Sequence, residues 1–177
     1  RNRTGSQARG IQKSTDGGIT WTQVLGAPLA GFASGRGCDL ELAANGDIYA
    51  TIGNFSEGRI FRSSFSVHGI NTGNVGTWTD ITPDPGTNAI PAVGDNYDRI
   101  EIATAPSNGN VVYGIFEGNG TYDVSNIKQY DASTNTWTNR TVPNYSGGGA
   151  YTRNQAWYDL IASVDPNNAN TLYIGAI

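Results

Sequence analysis

Charge is scarce in this chain. Asp, Glu, Lys and Arg make up 15% of its 177 residues, against roughly a quarter in ordinary soluble domains. The balance is acidic, with a formal net charge of -4, so there is no basic footprint for nucleic acid. Cysteine occurs once, at Cys38, which excludes an internal disulfide framework. Cys38 heads an expected strand, where a buried thiol is the expectation. A nucleophile would need a base nearby, and the one histidine, His68, lies in a different segment. No His/Cys/Asp cluster has zinc spacing. No Gly-rich turn opens a helix to cradle phosphate, and no Ser-His-Asp set can be built around His68. Neither a metal nor a cofactor is therefore expected. No apolar run approaches the roughly 18 residues of a membrane-spanning helix, so no membrane insertion is expected. No signal peptide is visible. Methionine is absent and helix formers are few. The chain opens inside a repeat without an initiator Met, and it is read as a mature or partial piece of a longer protein.

What is abundant is Gly, Thr, Ser and Asn, with many Trp and Tyr. This is the composition of short strands joined by turns, and repeats organise it. The Trp-Thr pairs at Trp21, Trp78 and Trp137 stand 57 and 59 residues apart. The apolar runs CDLELA, RIEIA and LIASV place Leu40, Ile100 and Ile161 at 60 and 61 residues. Two independent markers thus give one period of about sixty. Each period holds four runs of alternating or β-branched residues. For the second unit these are 39–43, 47–52, 58–63 and 77–82. For the third they are 99–103, 111–115, 126–130 and 136–141. Four short antiparallel strands per repeat is the unit of a β-propeller blade, and a lone blade cannot cover both of its faces. The expected fold is all-β, one partial propeller over 1–177. It has an outer half-blade at 10–24, blades at 38–82 and 98–141, and an inner half-blade at 159–177.

The stretch GIQKSTDGGITWTQV (10–24) carries a specific pattern, S-x-D-x-G-x-T-W, on Ser14, Asp16, Gly18, Thr20 and Trp21. It reads as strand, tight turn, strand. Asp16 can fold its carboxylate back onto backbone N–H groups, Gly17 and Gly18 supply positive φ, and Trp21 is a large apolar anchor. The pattern resembles the Asp-box of bacterial neuraminidase (BNR) repeats, found in propellers of sialidases, the sortilin ectodomain and many secreted bacterial proteins. The resemblance implies a structural role for these five residues, away from the active face, with Trp21 mostly buried. A second stretch, WYDLIASVDPNNANTLYIGAI (157–177), is similar to the inner hairpin of BNR-like propellers in bacterial proteins exported by type IX secretion and in xyloglucanase-like glycoside hydrolases. Its Asp165-Pro166-Asn167-Asn168 run is a turn in its own right, with Pro presetting φ and Asp and Asn bonding back to the backbone. The resemblance implies a secreted or cell-surface location, and the type IX machinery as a partner.

Loop lengths point to a working face. The connections 44–46, 104–109 and 165–170 are tight, whereas 25–37, 83–97, 116–125 and 142–158 are long, and long loops need a reason. Aromatic rings and a few cations on that face suit glycan or protein binding. The candidate ligand residues are Tyr145, Tyr151, Arg153 and Trp157 from the last loop, with Tyr97 and Arg36. Glu41 and Glu101 occupy matching positions in successive innermost strands. They are read either as a glycosidase acid/base pair or as an axial channel of solvated or Arg-paired carboxylates, with Arg99 or Arg59 as partner. The sialidase set of three arginines with Tyr, Glu and Asp is not complete, and no F-R-I-P stretch is present. The expectation is a non-catalytic module binding glycan or protein through the long-loop face. The alternatives are a glycoside hydrolase, sialidase- or xyloglucanase-like, and an exported cargo with a structural role only.

Overall fold

The computed structural model describes residues 9–26, 36–55, 57–144, 147 and 149–176. Among them, strands β1 (Ile11–Lys13) and β2 (Thr22–Leu25) form an antiparallel pair. Strands β3 (Gly37–Leu42), β4 (Ile48–Ile52), β5 (Arg59–Ser63) and β6 (Thr79–Asp80) form a four-stranded sheet in sequence order. Strands β7 (Tyr97–Thr104), β8 (Val111–Gly118), β9 (Val124–Asp131) and β10 (Thr136–Arg140) form a second. Strands β11 (Ile161–Val164) and β12 (Leu172–Gly175) close the series as another pair. Every pairing is antiparallel between sequence neighbours, which is the meander of propeller blades. The fold is all-β, a propeller segment of two four-stranded blades flanked by two half-blades.

The sheets stack face to face, and alternation along each strand explains why. In β4, Tyr49 packs with Ile100, Ile102, Phe116 and Trp137 of the next blade. Its neighbours Ala50 and Ile52 point the other way, against Leu25 and Ile11 of the β1–β2 pair. Strand β8 repeats the device: Phe116 faces back into the first interface, and Ile115 faces forward onto Leu160, Ala162 and Ile174. Successive side chains of a strand point to opposite faces, so a strand apolar at both parities is covered on both sides. The first blade interface is also bonded, since the Trp137 indole N–H donates to the Ile81 carbonyl at 2.7 Å.

Several strands depart from the expected spans: β8 and β9 run longer than 111–115 and 126–130, and β6 and β7 differ for visible reasons. The run 77–82 narrows to Thr79–Asp80, because side chains replace the ladder there. Thr82 Oγ1 accepts the Ile60 N–H, and Asp80 takes the Thr82 N–H. Strand β7 is longer than 99–103 and carries a bulge between Tyr97 and Ile100. The bulge frees the Arg99 N–H, and the fully buried Glu117 carboxylate accepts it at 3.1 Å. The connection between β5 and β6, residues 64–78, contains one helical turn, α1 (Phe65–His68), and a 3₁₀ turn at Gly69–Asn71.

The Asp-box hairpin forms as its residues dictate, with one correction. Asp16 accepts the Ile19 and Thr20 N–H groups at 3.0 and 2.9 Å and the Thr20 hydroxyl at 2.6 Å. Ser14 donates to Asp16 and accepts the Gly18 N–H, and Gly17 and Gly18 hold φ of 72° and 90°. Trp21, expected to be mostly buried, is 62% exposed. It precedes β2 rather than lying in it, and its indole N–H bends back to the Gly18 carbonyl. The ring therefore covers its own turn instead of entering a sheet interface.

Candidate functional site

Described residues from three connections meet: Arg36 ahead of β3, Phe55 between β4 and β5, and Trp157 ahead of β11. Arg36 ends the first, and the carbonyl of Arg36 accepts the Gly53 N–H at 2.8 Å, which ties that loop to the β4–β5 connection. The β4–β5 connection in turn is clamped to the next blade. Asn54 N–H donates to the Asp98 carbonyl, Gly58 N–H to the Tyr97 carbonyl, and Glu57 N–H to Asp95 Oδ1. The backbones come so close that a Cβ on Gly58 would sit 2.5 Å from the Asp98 carbonyl oxygen, so only glycine fits. Phe55 rides on this clamp with a φ of 69°, flanked by Asn54 at 83° and Glu57 at 54°. Left-handed backbone at a non-glycine residue is held in place by its surroundings and clusters at working sites.

Phe55 collects the face into a shelf. The Arg36 guanidinium lies 5.6 Å from its ring centre, within cation–π range. The Trp157 ring centre stands 5.4 Å from that of Phe55, and Tyr158 follows 4.3 Å from Trp157, edge on. Phe55 and Tyr158 remain about half exposed. The shelf therefore offers aromatic faces with a guanidinium at one end. Chemically this suits a ring-shaped, hydroxyl-bearing ligand, by stacking plus a directional charged donor.

Residues 152–158, which carry Trp157 and Tyr158, are tied down by hydrogen bonds. Asp123 Oδ1 accepts the Thr152 hydroxyl and the Asn154 N–H, both at 2.8 Å. Ala156, fully buried, donates its N–H to the Tyr122 carbonyl. Tyr158 hydroxyl bonds the Gln155 side chain.

The six expected ligand residues divide. Arg36 and Trp157 are brought together through Phe55 and Tyr158. Phe55 and Tyr158 were not among the six: Tyr158 lies in the long 142–158 connection, and Phe55 in the short one between β4 and β5. Tyr151 points away from the shelf: its hydroxyl donates to the Ile174 carbonyl at 3.1 Å and pins the loop to β12. Arg153 is exposed, with a φ of 48°. Tyr97 is a correction. It begins β7 and is 1% exposed, with its ring 4.6 Å from Phe116, so it belongs to the core and not to a binding surface. Its strand starts two residues earlier than the alternation suggested. Tyr145 lies outside the described residues.

Glu41 and Glu101 lie on β3 and β7, the first strands of adjoining blades. Glu101 accepts from Arg99 at 2.9 Å, and the same Arg99 nitrogen reaches the Leu160 carbonyl ahead of β11. Asp39 accepts the Ile102 N–H, and Glu41 accepts the Thr104 hydroxyl. Burial, and then the charge of Asp39, pushes the Glu101 carboxyl up to about 7 despite its arginine. Burial, together with the like charges of Asp39 and Glu41, outweighs the ion pair with Arg99. Glu41 is raised as well, by burial. A carboxyl near neutral pH can give or take a proton, whereas Glu41 is committed to Thr104. Cys38, beside them, is pushed up to about 11 by burial, so it is an inert thiol at neutral pH. Among the described residues no group of His, Cys, Asp and Glu could hold a metal ion.

Comparison with known proteins adds one relative. The chain is similar to a xyloglucanase from Paenibacillus sp, 39% identical over 90 residues. Those residues are 51% of this chain and 8% of the relative. No protein-family model matches the chain. With its stacked four-stranded sheets, this likeness fits a segment of a BNR or sialidase-like propeller related to carbohydrate-active proteins.

Proposed function

We propose that this propeller segment binds a glycan on its long-loop face, as a non-catalytic module of a secreted or cell-surface protein. The single observation that carries the reading is the shelf of Phe55, Trp157 and Tyr158 with Arg36 at its end. The relative's name adds the carbohydrate class, with a neutral β-glucan backbone as the first ligand to try. Export by type IX secretion rests on the resemblance of the 157–177 hairpin alone. A protein ligand on the same face is the competing binding partner.

The test is titration with xyloglucan oligosaccharides by calorimetry, on the parent and on Phe55→Ala and Trp157→Ala after both are shown to fold by circular dichroism. Each loss of a stacking face should weaken binding about tenfold, the equivalent of roughly 1.4 kcal/mol. Binding that survives both substitutions would remove the shelf from the site. A second reading, a glycoside hydrolase, is favoured by one observation, the Glu101 carboxyl held at about 7. Release of shorter oligosaccharides in the same samples, abolished by Glu101→Gln, would establish that reading instead.

A further inference from the structure

A second cavity lies away from the shelf, between the Asp-box hairpin and the 64–77 excursion of the first blade. It is an open cleft of about 330 Å³, within the range of small-ligand sites, with Thr15, Thr20, Thr22 and Val75 exposed along it. One wall is the hairpin itself, where Lys13 and Thr22 are cross-strand partners and Thr15 and Thr20 flank the turn. The other wall is Asn74 and Val75, and Val24 forms the floor.

The polar inventory of this cavity is one-sided. The Lys13 ammonium donates to Asn74 Oδ1 at 2.7 Å and makes no ion pair among the described residues. An ammonium carries three donors, so two remain. No carboxylate lines the cavity, although the chain carries a net charge of -4. Asp16, the acid of the same turn, has its oxygens taken by the Ser14 and Thr20 hydroxyls and the Ile19 and Thr20 N–H groups. The Thr15 and Thr22 hydroxyls add donors and acceptors to the lining, and Val24 and Val75 supply apolar contact. The wall is also fixed, because the Asp-box bonds set the hairpin and the Lys13–Asn74 bond sets the gap.

We propose that this cavity binds a small polyhydroxylated carboxylate of the hexuronic acid class. The carboxylate pairs with Lys13, and ring hydroxyls meet Thr15, Thr22 and Asn74. The size admits a single sugar ring, and neither charge nor hydroxyls alone account for the lining. The site is independent of the shelf and of the glycan reading given for it.

The experiment uses glucuronate as the probe, with glucose and acetate as controls for the hydroxyl frame and the charge. Binding is followed by heteronuclear NMR titration of the parent, Lys13→Met and Thr22→Val. Lys13→Met keeps the stem that packs on the wall and removes the ammonium. Glucuronate is expected to shift the Thr15, Thr22 and Asn74 signals and to bind about tenfold more tightly than glucose or acetate. Lys13→Met should weaken the binding read at Thr15, Thr22 and Asn74 at least about tenfold, a charged hydrogen bond's worth, and Thr22→Val severalfold. Equal binding of acetate would reduce the site to counter-ion pairing and overturn the proposal. So would equal binding of glucose, no binding of glucuronate, or indifference to Lys13→Met in a spectrum that is otherwise unchanged.

Discussion

Asp16 shows how much one exposed side chain can organise. Its carboxylate gathers two backbone N–H groups and two hydroxyls without any burial. The hydroxyl and N–H of Thr20 are the main reasons its carboxyl is held down at about 2, from an ordinary 3.8. A carboxyl depressed in the folded state stabilises that state above the unfolded value, and the contribution is lost as pH falls through the folded one. Asp16→Asn keeps the shape and removes the charge. Its melting temperature should lie below that of the parent at pH 7. The gap should start to close below about pH 3.8 and vanish near pH 2. A gap that persists unchanged at pH 2 would mean that the charge is not what holds the turn. Tyr97 and Trp21 teach the opposite lesson at the same scale. Neither ring lies where its neighbours in sequence suggested, because strand onset and turn geometry decide which way a side chain faces.

Among the elements, the long 81–96 connection is held by a residue from another strand. Lys128 on β9 is fully buried. Its ammonium donates to the carbonyls of Asp84 and Pro85 and to the side-chain oxygens of Asn88 and Asn139. Burial pushes its pKa down, opposed by the Asp84 charge, so four acceptors compensate a desolvated cation. Lys128→Met preserves the stem and leaves those acceptors without a donor. It should cost about 2–4 kcal/mol in urea unfolding and speed proteolysis within 84–96. A loss confined to proteolysis, with unfolding unchanged, would show that the loop opens alone. The shelf depends on the same logic, since Asp123 and the Gly58 clamp bring 55 and 157 together from separate blades.

For the molecule as a whole, stability should be uneven. The β7–β10 blade is covered on both faces by neighbouring sheets. The β11–β12 pair leaves Ile161 and Tyr173 69% and 60% exposed. A two-stranded ribbon is marginal without packing on both sides, and stacked repeats lean on their neighbours. Amide exchange should therefore be slowest in β7, β8 and β9 and fastest in β1, β2, β11 and β12, with opening of the pairs preceding global unfolding. Uniform protection along the chain would contradict this order.

The sequence by itself determined the repeat of about sixty, the four-strand unit, the Asp-box turn and the face with long loops. Each of these is written in local spacing: alternation of 2 along a strand, Gly and Asx residues at turns, Trp and apolar runs one blade apart. The tertiary structure alone decided which loop aromatics meet. Phe55 and Trp157 are 102 positions apart in the sequence, and nothing local joins them. They touch because the stacking of blades brings the ends of separate strands together at one rim. The same stacking placed Arg99 beside Leu160, buried Tyr97, and set Asn74 opposite Lys13. Pairing between blades obeys packing of whole sheets, and no short stretch of sequence encodes it.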